Sequence, residues 1–142
     1  MKLTSLFILL LLCSCQLKQI NQKKDKRMHG KWIEEYTLDS IHYKSIGRYK
    51  EGEPVKKWKH YTNGKITKKE SYKKEYCLVI YYHPNGTVQA KGITKLIEKG
   101  KYIHWFYSGQ WEFFDTKKNL IITRLYENGK LITENKIQNT KQ

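Results

Sequence analysis

From Gly30 to Ile137 apolar and polar residues alternate over short runs, each closed by residues that favour turns. A period of two sends successive side chains to opposite faces of an extended chain, and so predicts half-buried β-strands. Trp32-Ile33-Glu34-Glu35-Tyr36 runs to a turn near Leu38-Asp39-Ser40 and returns through Tyr43 to Tyr49. Trp58-Lys59-His60-Tyr61 runs to Asn63-Gly64 and returns through Tyr72. Leu78 to Tyr82 runs to His83-Pro84-Asn85-Gly86 and returns from Thr87 to Thr94. Gly109-Gln110-Trp111-Glu112-Phe113-Phe114 runs to Asp115-Thr116-Lys117-Lys118 and returns from Leu120 to Tyr126, and Asn128-Gly129 marks a closing hairpin. The aromatic stretch from Tyr102 to Tyr107 reads as an insertion that stretches the third gap. Asn-Gly between β-rich runs is a strong hairpin signal, because both residues accept the positive φ of a type I′ turn. No segment offers a convincing ten-residue helix. The expected architecture is all-β, an elongated antiparallel sheet of stacked hairpins, none able to bury its apolar face alone. Trp32, Trp58 and Trp111 occupy corresponding places and are expected to form a ladder on one face. Two roles are open to that ladder, core packing or an exposed aromatic strip for binding.

The start of the chain has a different pattern. Met1-Lys2 precedes an apolar run to Cys13, which is too short to span a bilayer core of roughly 30 Å. It has the layout of a secretory signal peptide. Leu12-Cys13-Ser14-Cys15 resembles the lipobox of bacterial lipoproteins, and that resemblance makes residues 1–14 the signal and Cys15 the lipidated first residue of the mature chain. Two or three acyl chains, at about 0.8 kcal/mol per buried methylene, would hold it firmly to a membrane. Gln16 to Met28 is polar and carries Lys18, Lys23, Lys24, Lys26 and Arg27 against Asp25 alone. Residues 15–29 therefore read as a flexible basic tether. Its charges serve either attraction to an anionic leaflet or simple solubility. Residues 138–142 form a polar tail.

The formal net charge is +15, and an exported chain meets few nucleic acids. Of its 28 basic residues only Arg27, Arg48 and Arg124 carry the bidentate guanidinium favoured for phosphate and base recognition. Nucleic acid is therefore excluded as the expected partner, while lipid headgroups or acidic glycans of the envelope stay in play.

Parts for catalysis are lacking. His29, His42, His60, His83 and His104 are scattered without metal-ligand spacing, and His60 and His83 read as solvated strand or turn residues. Asp39 and Asp115 fall in turns, where Asp caps its own backbone. Cys77 sits in an apolar run beside Leu78 and reads as a buried inert thiol. No catalytic residue, metal site or cofactor is expected.

The repeat resembles the bacterial variant of the MORN repeat, whose units read roughly Gly-x-Trp-x-x-Tyr-x-x-Asn-Gly-Lys. The residues that carry the resemblance are Gly30, Trp32, Tyr36, Trp58, Tyr61, Asn63, Gly64, Tyr82, Asn85, Gly86, Gly109, Trp111, Phe114, Tyr126, Asn128 and Gly129. Leu78-Val79-Ile80 stands where Trp is expected, and Lys117-Lys118 where Asn-Gly is expected, so three to five units fit. The export signal, the lipobox and a face rich in Tyr and Lys point to a binding or scaffold module, anchored to a membrane and meeting a protein or an anionic envelope polymer. One branch of the family, labelled as YwqK-like antitoxin, implies the alternative of an antitoxin or immunity-type protein. Replacing Cys15 by Ser should move the protein from the detergent-extractable membrane fraction to the soluble one and abolish acyl-chain labelling; labelling that persists contradicts the lipid assignment.

Overall fold

The computed structural model describes residues 19–99 and 102–138. The signal segment, Cys15 and residues 139–142 lie outside the described residues. The described chain is all-β. Its strands are β1 (Gln22–Lys24), β2 (Arg27–Leu38), β3 (Ile41–Lys50), β4 (Glu53–Thr62), β5 (Lys65–Tyr72), β6 (Cys77–Tyr82), β7 (Val88–Lys99), β8 (Tyr102–Phe114), β9 (Leu120–Glu127) and β10 (Lys130–Lys136). They form one open sheet in chain order, every neighbouring pair antiparallel. This is the elongated sheet of hairpins that the alternation predicts.

Two-residue turns with positive φ at both positions join several strands. Asn63-Gly64 (48° and 76°) and Asn128-Gly129 (48° and 82°) behave as expected, and Asp39-Ser40 and Glu51-Gly52 adopt the same form. The asparagines also tie hairpins together. Asn63 Oδ1 accepts from the His42 amide at 2.8 Å, and Asn85 Nδ2 donates to the Thr116 carbonyl at 3.1 Å.

Several details depart from the sequence reading. Asn85-Gly86 lies at a hairpin tip, but only Gly86 has positive φ. Pro84 fixes its own φ near −65°, which favours a type I turn, and the Gly86 amide accordingly donates to the His83 carbonyl at 2.8 Å. Tyr102–Tyr107 is no insertion: it is the first half of β8, paired residue by residue with the far half of β7. The sheet also begins before Gly30. Gln22–Lys24 pairs with Arg27–His29 around a turn at Asp25 (φ 49°) and Lys26 (φ 63°). A polar hairpin of this kind is held by backbone hydrogen bonds and carries no apolar alternation, and a left-handed Lys hides its turn.

The tryptophans explain how a single sheet acquires a core. Gly30-Lys31-Trp32, Lys56-Lys57-Trp58 and Gly109-Gln110-Trp111 each begin with a left-handed residue, at φ 79°, 62° and 66°. At the second and third copies three residues face one residue of the preceding strand, Gly47 and Gly92 respectively. Each bulge tips its indole flat onto that glycine. A Cβ on Gly47 would lie 1.9 Å from the Trp58 ring, and one on Gly92 would lie 2.3 Å from the Trp111 ring. The indole N–H then donates to the carbonyl of the next residue, Trp58 to Arg48 at 3.2 Å and Trp111 to Ile93 at 3.0 Å. Trp32 repeats the gesture with the Gln22 carbonyl at 3.2 Å. Trp58 and Trp111 are buried, so at those positions the ladder is core packing.

Around Trp111 the core gathers Cys77, Val79 and Ala90, flanked by Tyr72, Tyr81, Tyr107, Phe113 and Tyr126. Tyr107 stacks on Trp111 at 4.0 Å, and Tyr49 wedges edge-on between Trp32 (5.5 Å) and Trp58 (4.9 Å). Burial pushes the Cys77 thiol up to about 11, so it stays protonated and unreactive at neutral pH. One face of the sheet is thus an aromatic core face and the other an exposed face. Gly47→Ala and Gly92→Ala should each destabilise the protein by about 3 kcal/mol, because the new methyl meets ring carbon on a fixed backbone. Lys56→Gly should stabilise it by about 1 kcal/mol, since only glycine adopts left-handed backbone without cost. Denaturation midpoints check both; unchanged alanine variants contradict the packing.

Candidate functional site

Lys57 and Lys59 alternate with Trp58, so burial of the indole turns both lysines outward. The register sets Lys59 opposite Lys69 on β5, and Lys69 opposite Ile80 on β6. Lys57 stands opposite Ser71. Among the described residues none of these three lysines has an ion-pair partner. Like charges directly opposite on neighbouring strands are destabilising, so the Lys59–Lys69 pair is held against its own repulsion. Beside them Leu78, Ile80 and Tyr82 share a shallow groove of about 340 Å³. Leu78 is 41 % exposed, and Lys69 Nζ stands 4.8 Å from the Tyr82 ring centroid in a cation–π contact. The apolar strip continues across the strands to Ile93 in a second groove, where Lys91 pairs with Glu112 at 2.9 Å. Lys91 also lies over the Phe114 ring at 5.2 Å. The exposed face is therefore cationic, partly apolar and aromatic.

The core face carries a polar network that the spacing of residues did not reveal. His60 is not a solvated strand residue: its Nε2 meets Glu70 Oε2 at 2.7 Å and its Nδ1 meets Ser45 Oγ at 2.8 Å. A carboxylate only accepts, so Nε2 carries the proton, and in the neutral ring Nδ1 accepts from the Ser45 hydroxyl. The His60 ring also lies nearly parallel to Trp58. Lys68 Nζ donates to the other Glu70 oxygen at 2.9 Å. Burial raises the Glu70 carboxyl, and the hydrogen bonds from His60 and Lys68 outweigh that, leaving it below its ordinary range. His83 is likewise engaged in its turn, its Nε2 within 2.9 Å of the Phe114 carbonyl oxygen. Ser45, His60 and Glu70 belong to three successive strands, and a bulge between His60 and Tyr61 shifts the register that the Asn63-Gly64 turn alone would set. That shift is why the grouping could not be counted from the turn.

The other repeat residues serve geometry. Tyr36 stacks on Tyr43 at 5.0 Å, Tyr126 meets Tyr107 edge-on at 5.3 Å, and Gly129 packs against the Phe106 ring. Asp115 Oδ1 accepts the amides of Lys117 and Asn119, both at 2.8 Å, which lets Lys118 adopt φ 72° in place of the expected Asn-Gly. Among the described residues no group of three or more His, Cys, Asp or Glu is placed to hold a metal ion, and no helix is long and apolar enough to cross a membrane. No family model, curated protein or solved structure matches the chain.

A carboxyl whose folded pKa is depressed adds stability above its unfolded value, near 4.5, and loses it as pH falls through the folded value. Glu70→Gln should therefore cost about 1–3 kcal/mol at pH 7 and flatten the decline in stability below pH 4.5. Denaturation at pH 7 and pH 3 measures this, and a variant that tracks the parent at both values contradicts the network.

Proposed function

We propose that the protein is a lipid-anchored, non-catalytic binding or scaffold module of the bacterial cell envelope, built on MORN-like repeats. Cys15 holds it to the membrane, and its cationic face takes an anionic partner. The observation that carries this reading is the unneutralised lysine group Lys57, Lys59 and Lys69 beside the exposed Leu78 and the half-buried Ile80 and Tyr82. A fold gains nothing from setting Lys59 opposite Lys69; an anionic polymer relieves that repulsion on binding. The apolar strip adds contact area that salt does not screen, which suits an acidic chain with an aliphatic or sugar backbone.

Exposed charges are screened beyond roughly 8 Å at physiological salt, so binding through this face weakens as ionic strength rises. The test titrates residues 16–142 against anionic wall polymer, anionic vesicles and neutral controls at low and high salt. Binding should be confined to the anionic samples, fall at high salt, and drop about tenfold or more in the double variant Lys57→Glu with Lys59→Glu, a loss equivalent to about 1.4 kcal/mol. Equal binding to neutral and anionic samples removes the charged face from the account and leaves a specific protein partner, such as a toxin, as the occupant to seek.

A further inference from the structure

On the opposite face, five strands share a shallow groove of about 300 Å³ with a character of its own. Tyr36 and Tyr43 stand at one end as a parallel stacked pair, and Tyr36 is 60 % exposed. Tyr81 stands at the other, three strand spacings from Tyr43, which is roughly 14 Å. Between them Ser45, His60 and Lys68 form the floor. From this arrangement we propose that the groove is a binding site for a neutral oligosaccharide, separate from the cationic face.

Three features select that ligand class. The first is charge. Lys68 is neutralised by Glu70 at 2.9 Å, and Glu70 also holds His60, so the floor offers polar groups without an unpaired charge. An anionic polymer finds nothing here to replace its water, whereas a neutral polyol does.

The second feature is the supply of hydroxyls. With the His60 ring neutral, Ser45 directs its hydrogen to Nδ1, which leaves its oxygen lone pairs to accept. The Tyr107 hydroxyl donates to the Tyr81 oxygen at 3.4 Å, so the Tyr81 hydroxyl keeps its own hydrogen to donate. Fixed donors and acceptors of this kind match the alternating hydroxyls of a pyranose and cost little reorganisation when it docks.

The third is the aromatic platform. Most tyrosines of the core face are packed on tryptophan or on each other, but Tyr36 turns much of its surface to solvent. An aromatic face is electron-rich, and the axial C–H bonds of a sugar ring present weakly positive hydrogens to it. A sugar ring set against the Tyr36–Tyr43 pair would place a neighbouring sugar over Ser45 and His60, which line the same groove, so the length of the groove suits a short chain rather than one ring.

The experiment uses the full chain, purified in a detergent without a sugar headgroup. Calorimetry follows titration with β-linked disaccharides and trisaccharides of glucose, galactose and N-acetylglucosamine, with polygalacturonate and anionic vesicles as charged comparisons. At least one neutral saccharide should bind, with an affinity that is the same at low and high salt. Tyr36→Ala and Ser45→Ala should each weaken it about tenfold or more, while Tyr36→Trp retains it. Lys57→Glu with Lys59→Glu should leave it intact, which separates this site from the cationic face whichever way that face is decided. Tyr36 is exposed, so its replacement leaves the core in place, and near-ultraviolet circular dichroism verifies the fold. Absence of binding by every neutral saccharide overturns the proposal, and so does binding by Tyr36→Ala equal to that of the parent.

Discussion

An indole laid flat on a glycine is the contact on which the rest of this sheet depends. A single antiparallel sheet has no second layer to bury its apolar face, and short hairpins alone are marginal in water. Here the bulges before Trp58 and Trp111 swing each ring down onto the backbone of the preceding strand, where Gly47 and Gly92 leave room for it. The ring covers backbone that would otherwise be wetted, and its N–H occupies a carbonyl beside the bulge. Tyrosines then pack on the indoles, and one core cluster forms around Trp111 without a covering layer.

The same device determines what the other face presents. In a strand, burial of one residue exposes its neighbours, so fixing Trp58 inward places Lys57 and Lys59 outward. Neighbouring strands add Lys69 and the Leu78, Ile80 and Tyr82 strip in register. Aromatic core and cationic surface are therefore two sides of one alternation, and a shift of register by one residue would exchange them. On the core face the sheet retains a polar enclave, Ser45–His60–Glu70–Lys68, whose members satisfy one another beside Trp58.

Much of the fold was legible because the cues were local. Alternation located β2 to β6 and β9, and Asn63-Gly64 and Asn128-Gly129 specified their own turns. What escaped was non-local or carried by residues without a signature. Lys26, Lys56 and Lys118 adopt left-handed backbone that nothing in their chemistry announces, so the first hairpin and one tryptophan bulge were hidden. The Tyr102–Tyr107 stretch read as an insertion because its partner, the far half of β7, is rich in Lys and Glu. His60 looked solvated because its partners arrive from two other strands through a bulged register. The lysine face was legible in part: Lys57 and Lys59 followed from alternation, but their meeting with Lys69 required the register.

Hydrogen exchange at the tryptophan indoles tests most directly whether the sheet is organised in this way. Trp58 and Trp111 are buried and their N–H groups are hydrogen-bonded to backbone, whereas Trp105 is 38 % exposed. Indole N–H signals followed by NMR after transfer to heavy water should show Trp58 and Trp111 protected close to the level of global unfolding, with Trp105 exchanging far sooner. Exchange of Trp111 as fast as that of Trp105 would contradict the account, because the ring could not then be seated on Gly92.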